Sequence, residues 1–308
     1  MSPTLAPSTV RFGTHEVAFP SARLQELRDA NALLDDPVAL RARLDEDGYL
    51  LIRGLHDPGA VLAARREILE RVAAQGRLDP DAPLMEARIP AEGHGAFFGK
   101  TRNDDIKSAP AYQHLVRSPR LMRFFDQFFG TPSMTFDFQW LRLVGHGDFT
   151  GAHLDNVYMG RGTPRLLTTW TPVGDVGLDQ GPLVIGIGSH RAESMRRVRE
   201  TYGQMDVDRD RVKEGWFSRD PFEVADRHGV TWGTTTFRAG DALVFGMYTL
   251  HASLTNTSRT FRLSSDTRYQ PANEPADERW VGDQPKGHYG WHSGEQVTID
   301  TKRREWGV

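Results

Sequence analysis

The feature that most constrains this chain is a change of period at Gly130. Three times upstream of it an Asp or Ser precedes a Pro that opens an apolar-periodic run closed by a Gly: Asp36-Pro37 to Gly48, Asp57-Pro58 to Gly76 and Ser118-Pro119 to Gly130. That order supplies a side-chain acceptor for the first orphan amides, a Pro where no N–H is needed and a Gly where left-handed backbone is tolerated, so it predicts three helices. Val61, Leu62, Ile68, Leu69 and Val72 give the second one an apolar face, and Leu121, Phe125, Phe128 and Phe129 do the same for the third. Downstream of Gly130, Met134, Phe136, Phe138 and Trp140 alternate with polar residues at the period of a half-buried strand. Further strands are expected over 165–173, 183–187, 230–237, 242–247 and 259–269, with an earlier one at Tyr49–Ile52. Short strands in succession without interleaved helices predict an antiparallel sandwich or barrel rather than a doubly wound parallel sheet. The fold class is therefore mainly β with flanking helices.

Composition narrows the chemistry. There is no cysteine among 308 residues, which removes disulfide scaffolds, thiolate zinc sites, iron–sulfur clusters and cysteine nucleophiles, so any metal must be held by His, Asp or Glu. Lys plus Arg number 38 and Asp plus Glu 41, a net charge of -3 that gives no electrostatic reason to expect nucleic acid or an anionic membrane as partner. No stretch approaches 18 apolar residues and the first twenty lack a signal-peptide core, so a soluble, cytoplasmic protein is expected. One unit over 1–308 is expected. It comprises a helical half over 20–130, a β core over 131–272, a charged lid-like insertion at 191–229 and a packed tail at 273–308. The stretch 77–110, rich in Pro, Gly and charge, reads as a second surface or lid segment.

Two clusters carry the chemistry. In FTGAHLDN, His153 and Asp155 stand two apart, so on a strand imidazole and carboxylate project from one face and can grip one ion. In the second, His251 lies eleven residues before Arg262, with turn residues Asn256 to Ser258 between them. Two His and one carboxylate make the facial triad of a non-haem Fe(II) oxygenase and leave three octahedral positions open, two for a 2-oxo acid and one for dioxygen. The far carboxylate of such a cosubstrate needs a permanently charged planar fork, for which Arg262 is suited, and Ser253 adds a hydroxyl donor. Another pair, His146 and Asp148, sits in the glycine-rich run GHGDFTG and reads as a loop that would not hold both ligands on one face.

Taken in order, the HxD pair, TTWTPVGD, GPLVIGIGSHR, AGDALVFGMYTLHAS and RLSSDTRYQP resemble the phytanoyl-CoA dioxygenase family of Fe(II)- and 2-oxoglutarate-dependent oxygenases, with LDEDGYLLIRGLHDPGAVLAAR extending the match to about residue 41. The resemblance implies a double-stranded β-helix (jelly-roll, cupin-like) core. It implies Fe(II) on His153, Asp155 and His251, 2-oxoglutarate on Arg262 and Ser253 with Trp170 beside it, and Lys100 or Gln139 as a further contact. It also implies O2-dependent hydroxylation of a C–H bond; a carboxylate ligand leaves no place for a halide, while desaturation, demethylation and ring closure stay open. The family often has Pro before its GSH segment, where this chain has Ile187 and Gly188.

The remaining residues of interest are read as follows. His190 is either a pocket residue or a structural one at a strand end, Asp241 is a turn residue, and His288, Tyr289, Trp291 and His292 read as tail packing rather than substrate wall. Arg88, Arg102, Arg196, Arg197 and Arg199 in the two lid segments point to an anionic substrate group, though a solvated charged helix face explains Arg196 to Arg199 at least as well. The substrate expected is a small specialised metabolite, not a CoA ester. A non-oxidative metal-binding jelly roll, either a sensor or a zinc-type hydrolase, is the alternative, and Arg262 discriminates because hydrolysis has no use for a carboxylate fork beside the metal.

Overall fold

The computed structural model describes residues 8–97, 106, 108–290 and 293–308. The capping signals act as read. The Asp36 carboxylate accepts from the amides of Val38 and Ala39 to start helix Pro37–Asp47, and Gly48 ends it with φ 82°. Asp57 and Ser118 cap helices Pro58–Ala74 and Pro119–Phe129 in the same way.

The strands are β1 (Ser8–Phe12), β2 (His15–Phe19), β3 (Leu24–Glu26), β4 (Tyr49–Ile52), β5 (Ala96–Phe97), β6 (Ser133–Thr135), β7 (Trp140–Val144), β8 (Leu167–Pro172), β9 (Leu183–Gly186), β10 (Trp232–Thr234), β11 (Ala242–Gly246), β12 (His251–Ser253) and β13 (Arg262–Pro271). They form a large sheet in the order β4-β11-β8-β13-β7-β5, with β6 on β13, a smaller sheet β12-β9-β10-β3, and the hairpin β1-β2. Leu51, Trp170, Leu243 and Phe245 of the large sheet and Leu183 and Ile185 of the small one share one apolar cluster, the filling of a jelly roll. The alternate residues Leu50, Ile52, Ala242, Val244 and Tyr269 turn outward onto Leu40 and the phenylalanines of helix Pro119–Phe129. There Phe125 stacks on Tyr269 with ring centroids 4.1 Å apart. Helix Pro58–Ala74 packs similarly over Leu141, Leu143 and Leu263.

Three expectations change. The alternation from Met134 to Trp140 is not one strand, because the amides of Asp137 and Phe138 both donate to the Trp280 carbonyl of the tail and break the ladder between β6 and β7. The stretch 20–130 carries, besides the expected strand β4, two strands that were not expected, β3 and β5. The hairpin β1-β2, closed by Gly13 at φ 62°, was not anticipated, although its alternation around a Gly-Thr turn is a legible signal. No helix among the described residues is long and apolar enough to cross a membrane.

β13 positions the site. It is buried along its whole length. Leu263 and Tyr269 join the outer helices while the alternate residues Arg262, Ser264, Asp266 and Arg268 face the other way, so the inner face of this strand is a row of buried polar side chains.

Candidate active site

His153 and His251 form an antiparallel hydrogen-bonded pair, His153 N to His251 O at 2.9 Å and the reverse bond at 3.1 Å, which sets their rings 4.0 Å apart. Each ring gives its Nδ1–H to a backbone carbonyl two residues upstream, Gly151 at 2.8 Å and Thr249 at 3.0 Å. Those bonds fix the tautomer and turn both Nε2 lone pairs inward. Asp155 is not on an extended strand as the two-residue spacing suggested; at φ -66° and ψ -24° it opens the short helix Asn156–Met159. Its carboxylate nevertheless reaches the rings, with Oδ1 3.8 Å from His153 Nε2 and 3.6 Å from His251 Nε2. The ligand atoms of the three all lie within 4.8 Å of one another, a group able to hold a metal ion.

The protonation states suit that task. Burial pushes the His153 imidazole well below its ordinary value, helped by His251, and burial lowers His251 as well, so both imidazoles are neutral. Burial alone would raise Asp155; the Arg268 guanidinium, with the Thr168 hydroxyl, outweighs it and holds the carboxyl well below the usual carboxylate range. The second pair does not assemble. His146 is bonded to the Ser258 carbonyl through Nδ1 at 3.0 Å, and Asp148 accepts from the Gly145 amide at 3.0 Å to close a turn.

On the inner face of β13, Arg262 is buried with Cζ 5.6 Å from the Trp170 ring centroid, and its Nε and Nη1 have no partner. Burial, with Arg142 nearby, pushes its pKa down to about 9. A guanidinium in that position is costly until an anion arrives. Ser253 accepts from the Thr150 amide at 2.8 Å and keeps its own hydroxyl proton. Gln139 turns away, to Gln113 at 3.2 Å, and Lys100 lies outside the described residues.

A cavity of about 590 Å³ opens on His153 and Asp155, walled by Phe138, Trp140, Tyr158 and Trp216 and carrying Arg142, Arg219, Arg268 and Lys286. The insertion builds one wall: the Phe217 amide donates to the Ala152 carbonyl, and the Ala152 amide to that of Ser218, both at 2.8 Å. A Cβ on Gly151 would sit 2.8 Å from the Ser218 carbonyl oxygen and from the Trp216 ring, so only Gly permits this approach. The tail builds another. His288 lines the cavity, contrary to the expectation of tail packing, because buried Asp208 accepts from its Nδ1 at 2.9 Å. Tyr289 is 60% exposed, and Trp291 and His292 lie outside the described residues. His190 is structural, bonded to the Asp45 carbonyl at 2.9 Å, and Asp241 takes Arg53 and the Gly54 amide.

The anticipated arginines are elsewhere. Arg88 pairs with Glu86 and Arg196 with Glu193, Arg197 and Arg199 bond backbone carbonyls, and Arg102 is outside the described residues. The residues missed from sequence, Arg142, Thr168 and Arg268, sit inside ordinary strand alternation. Only the charges of RLSSDTRYQ, which all fall on one face of a strand, could have flagged Arg268.

Comparison with known proteins agrees with this geometry. The phytanoyl-CoA dioxygenase (PhyH) family matches residues 44–264, a span that includes the triad and Arg262. Among curated proteins the chain is 27% identical over 266 residues to a 1-deoxypentalenic acid 11-beta-hydroxylase of Streptomyces exfoliatus, covering 81% of this chain and 87% of the relative. It is 26% identical over 255 residues to the protein of that name from Streptomyces arenae, covering 80% and 85%. Among solved structures, the epimerase SnoN in complex with Fe3+, alpha ketoglutarate and nogalamycin RO superimposes with a TM-score of 0.53 at 20% identity, over 85% of this chain and 99% of that one. EctD from S. alaskensis with bound Fe does so at 0.53 and 17% over 96% of each chain, so the jelly roll is shared. The chain belongs to the phytanoyl-CoA dioxygenase family of Fe(II)- and 2-oxoglutarate-dependent oxygenases.

Proposed function

We propose that this enzyme hydroxylates a C–H bond of a small, largely apolar molecule that carries an acidic group, with His153, Asp155 and His251 as iron ligands and Arg262 as the receiver of the distal carboxylate of 2-oxoglutarate. The observation that carries the cosubstrate assignment is the buried Arg262 fork with two unpartnered nitrogens, whose planar geometry matches a carboxylate. Bound there, Fe(II) and 2-oxoglutarate supply the activation of dioxygen and the oxidative decarboxylation that drive hydroxylation. The chain's own residues do the rest. His153 and His251 present Nε2, Trp170 lies beside the Arg262 guanidinium, Ser253 has a proton to donate, and the aromatic walls exclude water from the reacting bond.

The substrate class rests on the cavity. Its aromatic walls suit an apolar body, while Arg142, Arg219, Arg268 and Lys286 outnumber Glu214 and Asp155. The Streptomyces relatives are named for an acid, which agrees. The test is succinate formation from 2-oxoglutarate in the presence of lipophilic carboxylic acids and of their methyl esters. Stimulation by acids and not by the matching esters is expected; equal stimulation by esters would overturn the acidic-group assignment. Trp216→Ala is expected to weaken that stimulation and leave 2-oxoglutarate affinity unchanged.

A further inference from the structure

Thr168 and Arg268 are register partners on β8 and β13. Both side chains end on the same atom. Thr168 Oγ1 donates to Asp155 Oδ2 at 2.5 Å, and Arg268 Nη2 donates to it at 3.1 Å. The guanidinium is itself held elsewhere, with Nε on Met159 Sδ at 3.0 Å and Cζ 4.6 Å from the Trp140 ring centroid. The other carboxylate oxygen, Oδ1, is the one that faces the two Nε2 atoms, at 3.8 and 3.6 Å. All of these groups are buried.

We infer that Thr168 and Arg268 are positioning residues that reserve Oδ2, so that Asp155 offers a metal one oxygen and not two. The consequence is a matter of counting. Three ligand atoms on an octahedral ion leave three positions, which is what a two-point chelator and one further small ligand require. A carboxylate gripping through both oxygens would remove one of those positions. The cross-strand pair therefore protects the coordination number, not merely the charge balance, of the site. This inference rests on the Fe(II) and 2-oxoglutarate reading above.

Thr168→Val is the informative variant, because it deletes the hydroxyl at nearly constant volume and leaves every charge in place. The metal-free full-length protein is titrated anaerobically with Co(II), followed by its d–d absorption, and the Co(II)-loaded protein is then titrated with 2-oxoglutarate. Thr168→Val is expected to retain Co(II) with an altered absorption and to bind 2-oxoglutarate about tenfold or more weakly, with Thr168→Ser restoring both. Arg268→Lys keeps the cation but loses the fork that spans Met159 and Asp155, and the same selective loss is expected of it. Should Thr168→Val fail to fold by circular dichroism, Arg268→Lys carries the test. The inference is overturned if both variants match the wild type in spectrum and 2-oxoglutarate affinity, or if they lose Co(II) affinity while the loaded fraction binds 2-oxoglutarate normally. If the wild type itself takes up no Co(II) or no 2-oxoglutarate, the reading of the site fails instead, so the two failures are distinguishable.

Discussion

Replacing Arg262 by Met should have two effects of opposite sign. The wild-type guanidinium is buried, its Nε and Nη1 are unpartnered, and burial pushes its pKa down to about 9. An arginine whose folded-state value lies below its unfolded one costs stability at every pH where it is charged in both states. The cost is relieved only as pH rises past about 9. Met removes that cost at neutral pH, at least about 2 kcal/mol for an unpaired buried cation. For a chain of this length that is a rise in Tm of about 3 °C in the metal-free protein. Cosubstrate binding moves the other way. Two charge-assisted hydrogen bonds to a carboxylate are worth at least about 3 kcal/mol together, so 2-oxoglutarate affinity should fall about 100-fold or more. Scanning calorimetry of the metal-free protein and calorimetric titration of the metal-loaded one read the two effects. An Arg262→Met variant that binds 2-oxoglutarate as the wild type does, or that melts lower without ligand, would refute the assignment of Arg262 as a receptor waiting for an anion.

Other perturbations test the fold that holds the site. Phe125→Ala removes a fully buried ring stacked on Tyr269 and is expected to cost about 3–5 kcal/mol, read as a lowered denaturant midpoint. His56 is buried, with Nε2 on the Thr171 hydroxyl, and burial, aided by Arg120, pushes its pKa down to about 4. Its folded-state value is below its unfolded one, so the unfolded chain takes up a proton that the folded one refuses as pH drops from about 6.5 to about 4, and stability falls over that window. His56→Gln should remove about 2 kcal/mol of the difference in unfolding free energy between pH 7 and pH 5; an unchanged difference would show that other groups set the acid limit.

Much of this molecule was legible because its signals are local. Asp36, Asp57 and Ser118 each cap the helix they precede, and Gly48 and Gly130 close theirs, since capping involves neighbours in sequence. His153, Asp155 and His251, whose ligand atoms lie within 4.8 Å of one another, were legible as candidates because imidazole and carboxylate at that spacing suit a metal ion. What stayed hidden depends on distant partners. His288 becomes a cavity residue only because Asp208, 80 positions upstream, fixes its ring. Thr168 and Arg268 look like ordinary members of TTW and DTRYQ until the register of β8 against β13 places both on one oxygen. Gln139 looked available for the cosubstrate, yet the break between β6 and β7 turns it toward Gln113. The Phe136 and Phe138 alternation promised one strand, and a carbonyl from Trp280 in the tail interrupted it.

The most direct test of the site is an anaerobic titration of the metal-free protein with Fe(II) and 2-oxoglutarate, watching for the weak visible charge-transfer band of a chelated 2-oxo acid. The band should form in the wild type and in His146→Ala, and be lost in His153→Ala. A wild-type protein that binds the metal but shows no band, or a band that survives His153→Ala and disappears in His146→Ala, would contradict the placement of the iron on His153, Asp155 and His251.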